Sequence, residues 1–353
     1  MEINLPRRIL ITGISRFLGL RLARKLEAND EIDEIIGVDL EPPSEEFKRV
    51  EIVRADIRNP LFSKVLQASR ADTVIHLNII PSEAEKGRTM MKEMNVIGTM
   101  QLLAACQKSD SIRKVVVKST TAVYGSEPED PAFFAEEMSR RSTPKSSYCR
   151  DAMEIETYAR DFGRRRPDVC LTILRFATIL GSTVNNAFSR YLAQPMVPTV
   201  LGFDPRVQFI HEEDAAEATY RAAIEDHPGI FNVAADGAVP LSQAIRRAGR
   251  GQLPILPPAV WLADRVSGLM PFLNVPSAII REIAYGRVAD NSRMKEEFGF
   301  EPKYSCLDAV HDFREKKRAE RIVRQETDAT WEKDLREFVI RKQNERRADL
   351  TPT

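Results

Sequence analysis

The segment Thr12-Gly13-Ile14-Ser15-Arg16-Phe17-Leu18-Gly19 constrains this chain more than any other. It follows the apolar run Ile9–Thr12, which reads as a strand buried on both faces, and it runs into a helical pattern over Leu18–Glu27. A glycine turn between strand and helix aims the free N–H groups of the helix start at the space beyond the strand end, where phosphate is favoured. Gly13 allows the tight turn and Gly19 lets the helix approach the sheet, with Ser15, Arg16, Phe17 and Leu18 forming the rest of the loop. Twenty residues beyond Gly19 the next strand ends at Asp39, where a carboxylate can accept both hydroxyls of an adenosine ribose. Asp39 favours NAD, while Arg16, a cation able to pair with a 2′-phosphate, keeps NADP open.

The following segments extend the pattern. Ile35–Asp39, Glu51–Arg54, Thr73–His76 and Lys114–Ser119 read as strands alternating with helices, the βαβ signature of an α/β doubly wound parallel sheet. Ser147–Arg166 reads as a helix and Cys170–Arg175 as a sixth strand, with later strand pieces at Phe209-Ile210 and Phe231–Val233. Proline becomes frequent after residue 195, which suggests a second lobe. The expected organisation is a Rossmann-type cofactor lobe over 1–177 with 206–235 returning to it, a smaller substrate lobe over 178–205 and 236–313, and a charged helical tail over 314–353. In that tail, 21 of the 36 residues from Asp312 to Arg347 are charged, and Trp331, Leu335, Phe338 and Val339 share one helix face suited to docking.

Composition narrows the function classes. With 353 residues, 43% of them hydrophobic, the chain can bury a sizeable core, and 52 basic against 52 acidic residues leave no single-sign field for nucleic acid. The stretch 253–276 holds only two charges but five prolines, which argues against a membrane span and for buried lobe helices. Cys106, Cys149, Cys170 and Cys306 are too far apart for a zinc knuckle or a redox pair. They fit a reduced, cytoplasmic setting, and the N-terminus carries no secretion signal. His76, His211, His227 and His311 are scattered, so structural roles are expected and no metal. Ser119, Thr120 and Thr121 lack the GxSxG elbow of a hydrolase.

Beyond the glycine loop and Asp39, the chain carries Asp56-Ile57-Arg58, His76-Leu77, Asn95-Val96-Ile97-Gly98-Thr99, Ser119-Thr120-Thr121-Ala122-Val123-Tyr124-Gly125, Leu174-Arg175-Phe176, Phe209-Ile210-His211-Glu212-Glu213-Asp214 and Phe298-Gly299-Phe300-Glu301-Pro302. In this order, over roughly residues 8–313, they resemble the extended short-chain dehydrogenase/reductase family, in particular the NAD-dependent nucleotide-sugar epimerases and dehydratases of the UDP-glucose 4-epimerase type. The chain also looks like an actinobacterial-type subgroup of such proteins. The resemblance implies Asp56 and Ile57 at the adenine, and Leu77, Asn78, Ile79, Asn95 and Phe176 along the cofactor. It further implies Thr120 and Tyr148 as the catalytic pair, a nucleotide sugar as substrate, and a homodimer built through a pair of helices.

The departures fall on the catalytic and substrate elements. A tyrosine near pKa 10 is a poor base, and the family supplies a lysine four residues on; here Tyr148 is followed by Cys149-Arg150-Asp151-Ala152. Arg150 lies about 200° around the helix from Tyr148, which leaves Lys118 or Lys145 as other sources of a cation. Arg16-Phe17 stands where the family has glycine, Thr178 where it has a sugar-contacting asparagine, and Val207 where it has an arginine for the diphosphate, with Arg206 adjacent. Two readings follow: an epimerase- or dehydratase-like enzyme with a degenerate catalytic set, or a regulatory protein that keeps the NAD(P) pocket without efficient proton transfer.

Overall fold

Alternation of apolar side chains along the strands sets the architecture of the computed structural model, which describes residues 7–80, 87–131, 133–141, 143–144, 146–257 and 279–317. The expectations for 258–276, for Lys145 and for the tail from residue 318 onward lie outside these residues. The first half of the chain gives β1 (Arg8–Thr12), α1 (Phe17–Glu27), β2 (Glu34–Asp39), β3 (Val50–Arg54), α2 (Phe62–Ser69), β4 (Thr73–His76), α3 (Arg88–Lys92), α4 (Gly98–Gln107) and β5 (Lys114–Thr120). Then follow β6 (Phe133–Phe134), α5 (Ser147–Arg165), β7 (Cys170–Phe176), β8 (Thr178–Leu180), α6 (Ala187–Ala193), β9 (Met196–Val200), β10 (Arg206–Val207), β11 (Phe209–His211), α7 (Glu212–Ile224) and β12 (Gly229–Val233). The last strands are β13 (Val239–Pro240), β14 (Gly251–Ile255) and β15 (Val288–Ala289).

Seven strands form one parallel sheet in the order β12-β7-β5-β4-β1-β2-β3. This is the doubly wound Rossmann arrangement, in which the direction of winding reverses between β1 and β4 and opens a crevice at their C-terminal ends. Ile9, Ile11, Ile75, Val116 and Leu174 face one core cluster, and Leu10, Val74, Val115, Val117 and Ile173 face the other. Two-residue alternation therefore feeds both faces of the sheet, as a covered parallel sheet requires. On α1, Leu18, Leu22 and Leu26 are buried at a spacing of four, and the outer side of the helix is tied to α7 by the Arg21–Glu213 (2.7 Å) and Lys25–Glu217 (2.9 Å) ion pairs. Beyond the main sheet, β8 pairs with β11, β9 with β14, β10 with β13 and β6 with β15. These short ladders bring residues 178–207 and 279–290 to the C-terminal edge of β5 and β7. Among the described residues, no helix is long and apolar enough to cross a membrane.

His76 joins the two halves of the crevice. Its Nδ1 bonds the Thr12 hydroxyl at 2.7 Å and its Nε2 the Thr99 hydroxyl at 2.8 Å, linking β1, β4 and α4 without an exposed atom. Burial, helped by the nearby charge of Lys118, pushes its pKa down to about 4. The folded chain then keeps the ring neutral where the unfolded chain protonates it near 6.5, so unfolding takes up a proton between these values. Stability is accordingly retained above pH 6.5 and falls as the pH drops toward 4, by about 3 kcal/mol from this group. Urea unfolding across this window is expected to show that loss in the wild type and a flatter dependence in His76→Gln.

Candidate functional site

Gly13 opens the phosphate loop with φ +78°, and its N–H donates to the Val38 carbonyl at 2.9 Å. A Cβ at Gly13 would lie 2.8 Å from the Asn78 nitrogen, and one at Gly19 would lie 2.3 Å from the Gly13 carbonyl oxygen. Both glycines are required by close approach: of loop to the turn after β4, and of α1 to the loop. Arg16 caps α1 with φ −82° and ψ 155°, an extended backbone open to any residue, so a side chain replaces the family's glycine without strain. The first turn of α1 has no acidic residue and no side-chain cap, which suits its N-terminus to the negative pyrophosphate. Asp39 accepts from the Ser15 N–H at 3.2 Å, from the Ser15 hydroxyl, and from the Leu40 N–H at 2.8 Å, which locks the loop to the end of β2. This glycine cradle and carboxylate fit an adenine dinucleotide with unmodified ribose hydroxyls.

Asp56 is bound by Arg58 through its backbone N–H (2.9 Å), Nε (3.0 Å) and Nη2 (2.6 Å), and the Arg58 hydrogen bond holds its carboxyl below the usual range. With Asn59, Pro60, Glu93 and Ile97 the pair borders a shallow hollow, while Ile57 is buried beneath Gly98. Asn95 is fully buried in a π-helical turn over Glu93–Ile97, a distortion frequent at functional sites. Its side-chain carbonyl accepts from the Ile80 N–H at 2.7 Å, and its amide donates to the Ile80 carbonyl (3.0 Å) and to Asp151 (3.1 Å). Asn95 thus holds the 77–80 segment and α5 in place from behind, with no atom facing the crevice. Asn78 lends its backbone to the contact with Gly13, and Leu77 and Ile79 face inward.

The start of α1 and the Leu77–Ile79 segment border a cleft of about 510 Å³. It is lined by Phe17, Leu18, Leu77 and Ile79 with Arg16, by Lys118, Thr120, Tyr148 and Phe176, and by Thr178, Asn185, Arg190, Glu282 and Arg287. The crevice of the sheet and the 178–190 segment thereby share one space. Thr120 ends β5 and caps the short turn Thr121–Tyr124, accepting from the Ala122 N–H at 3.2 Å. Tyr148 lies in the first turn of α5 and lines the same cleft as Thr120. Ser119 donates to the buried Glu156 at 2.6 Å. Loss of water around the Tyr148 hydroxyl pushes its pKa up, against the lowering effects of Thr120 and of the Arg287 charge.

Ala152, at the lysine position, is fully buried against Val123, Tyr124, Phe134 and Ala289, so the place is packed with apolar atoms. Val207 is likewise buried and its neighbour Arg206 exposed, as strand alternation requires, so Arg206 does not take over the missing arginine's direction. Arg190 from α6 lines the cleft. Residues 9–234 match the profile of the NAD dependent epimerase/dehydratase family. The chain belongs to this family. NAD is the family's cofactor, and the loop, Asp39 and the cleft are arranged for it.

Other family members give the scale of the likeness. The uncharacterized protein Rv0501 of Mycobacterium tuberculosis is 44% identical over 313 residues, covering 87% of this chain and 83% of the relative. D-erythronate dehydrogenase of Haemophilus influenzae is 28% identical over 46% of this chain and 55% of its own. Among solved structures, MoeE5 in complex with UDP-glucuronic acid and NAD has a TM-score of 0.69 at 20% identity, covering 89% of this chain and 99% of its own. UDP-glucose 4-epimerase of Thermotoga maritima with UDP-glucose has a TM-score of 0.68 at 19% identity, over 88% and 98%. These two structures share the fold.

Asn185, Arg190, Glu282 and Arg287 escaped the sequence reading. The Asn186 and Ser189 side chains form a capping box that starts α6 and was visible as a spacing in the sequence, so the placement of Arg190 was in part recoverable. Gly13→Ala imposes left-handed strain of about 1–2 kcal/mol in addition to the contact with Asn78. NAD binding measured by calorimetry should weaken about tenfold or more. Asp39→Asn should raise NADP affinity relative to NAD in the same titration, because it removes the carboxylate that repels a 2′-phosphate.

Proposed function

We propose that this protein is an NAD-dependent oxidoreductase of the epimerase/dehydratase type, acting on a hydroxyl of a nucleotide-linked sugar. The observation that carries the reading is the meeting of Thr120 and Tyr148 in the wall of the cleft that continues from the Gly13–Gly19 loop. Bound NAD supplies the hydride acceptor and donor. Thr120 orients the reacting oxygen by hydrogen bond, and Tyr148 takes the hydroxyl proton and gives it back when hydride returns. Phe176 and Leu77 exclude water from the reacting end of the cleft. Arg16 and Arg190, both lining the cleft, support a diphosphate-bearing substrate in the absence of the family's arginine at Val207.

In the same reading, residues 1–177 with 206–235 form the cofactor lobe, and 178–205 with 236–313 form the substrate lobe. A cytoplasmic homodimer is part of the proposal. The exposed Met90, Ile97 and Met100, close together on the π-turn and its flanking helices, support a face that is covered by a second copy.

The raised Tyr148 and the apolar Ala152 position favour a slow enzyme over a fast one. Calorimetric titration with NAD, followed by a panel of UDP-sugars, is expected to show NAD binding strengthened by one sugar. Turnover of that sugar should fall about 10²–10⁴-fold in Tyr148→Phe. NAD binding indifferent to every nucleotide sugar would overturn the enzyme reading in favour of a cofactor-binding regulatory protein.

A further inference from the structure

Lys145 lies outside the described residues, and Lys118 lines the cleft that Tyr148 also lines. Lys118 also acts on His76 from within the sheet. Arg287, 139 positions along the chain and just before β15, lines the same cleft as Tyr148, and its charge favours the ionised phenol. Its guanidinium is 9% exposed and held from four sides. Nε donates to the Thr121 hydroxyl at 3.3 Å, Nη1 to the Ser126 hydroxyl at 2.8 Å and the Gly125 carbonyl at 3.4 Å, and Nη2 to Glu282 at 3.0 Å. Thr121 and Gly125 belong to the turn that begins at Thr120 and Ser126 follows it directly, so the cation is fixed relative to that turn rather than carried on a free side chain. Glu282 faces the same cleft and also accepts from the Thr178 hydroxyl at 3.4 Å.

We propose that Arg287, oriented by Glu282, is the cation that supports the Tyr148 phenolate in this protein, in the role its relatives' family pattern gives to a lysine on the tyrosine's own helix. The proposal rests on the reading of Tyr148 as the proton-handling group. Arg287 acts through Tyr148 and is a positioning residue. An arginine cannot lose its own proton near neutrality, so it holds its charge at every working pH, while the paired Glu282 partly cancels it. The other groups facing Tyr148 are the Thr120 hydroxyl, which favours the ionised phenol, and the Cys149 thiol, which disfavours it. Cys149 is itself held by Arg140 at 2.9 Å and donates to the Ala122 carbonyl at 3.0 Å. Arg16, Lys118 and Arg190 add positive charge along the cleft.

The test reads Tyr148 directly and needs no substrate. The full chain is produced with difluorotyrosine, whose lowered ionisation range stays within the folded protein, and its seven tyrosines are followed by ¹⁹F NMR against pH. Tyr148→Phe assigns the resonance. Arg287→Met should move the Tyr148 titration upward by about one pH unit or more, Arg287→Lys should leave it near the wild-type value, and Glu282→Gln should move it downward. An unmoved titration in Arg287→Met, or movement of Arg287→Met and Glu282→Gln in the same direction, overturns the proposal. If Arg287→Met fails to fold, Glu282→Gln decides: a downward move supports it, and an unmoved or upward one overturns it. Because no sugar is involved, a negative result here is distinct from failure of the nucleotide-sugar panel.

Discussion

Arg175 and Glu156 form an ion pair inside the protein, with Nη2 to Oε2 at 2.7 Å, Nε to Oε1 at 2.9 Å, and both side chains almost without exposure. Two charges withdrawn from water are costly unless every remaining donor and acceptor is satisfied, and removing either partner leaves an uncompensated charge. Here the satisfaction is broad. Glu156 also accepts from Ser119, and Arg175 also donates to the Tyr124 hydroxyl and the Glu136 carbonyl. Tyr124 passes the chain on to Asn232 at 2.7 Å. The network therefore binds α5 to the ends of β5, β7 and β12, where Thr120 and Tyr148 must meet. The energetic demand of this pair fixes the geometry on which the site depends.

The surroundings of Tyr148 follow from the same packing. Tyr124, whose hydroxyl belongs to the Arg175 network, stacks on Phe134 at 4.7 Å between centroids. Both rings lie against Ala152, so the place a lysine would occupy carries the apolar side of that network. Water and charge are excluded on this side of the tyrosine, which is why burial dominates its titration. The opposite side faces the cleft and the Arg287–Glu282 pair. The protein has thus exchanged a cation on the tyrosine's helix for one delivered by tertiary structure.

Such an exchange explains what the sequence could reveal. Local patterns were legible: β1, β2, β3, β5 and β7 begin or end within one residue of their expected limits, and Thr73–His76 agrees at both ends. Strand alternation and glycine spacing are set by neighbours in the chain, so they survive in the sequence. The loop between β1 and α1 and the end of β2 at Asp39 were legible for that reason, and the resemblance pointed to Thr120 and Tyr148, which line one cleft. The rest of that cleft's lining was not legible. Glu282 and Arg287 line the cleft with Tyr148 only because β15 pairs with β6 and the turn after Thr120 binds the guanidinium, and no local spacing records such a contact. The motif around Asn95 is recognisable in the sequence, and its hydrogen bonds to Ile80 and Asp151 come from tertiary packing.

Arg16 brings both kinds of information together. Its backbone angles show that glycine was dispensable there for conformation, since an extended φ carries no penalty for a side chain. What glycine would provide is close approach to phosphate, and here Arg16 lines the cleft beside the phosphate loop. A long cation can contact an anion from farther away than a backbone amide can, at the expense of ordering a flexible side chain. The same trade recurs where buried Val207 stands at the family's arginine and Arg190 of α6 lines the cleft. Positive charge along the cleft comes from Arg16, Lys118, Arg190 and Arg287, none at the positions where the resemblance expects a lysine and an arginine.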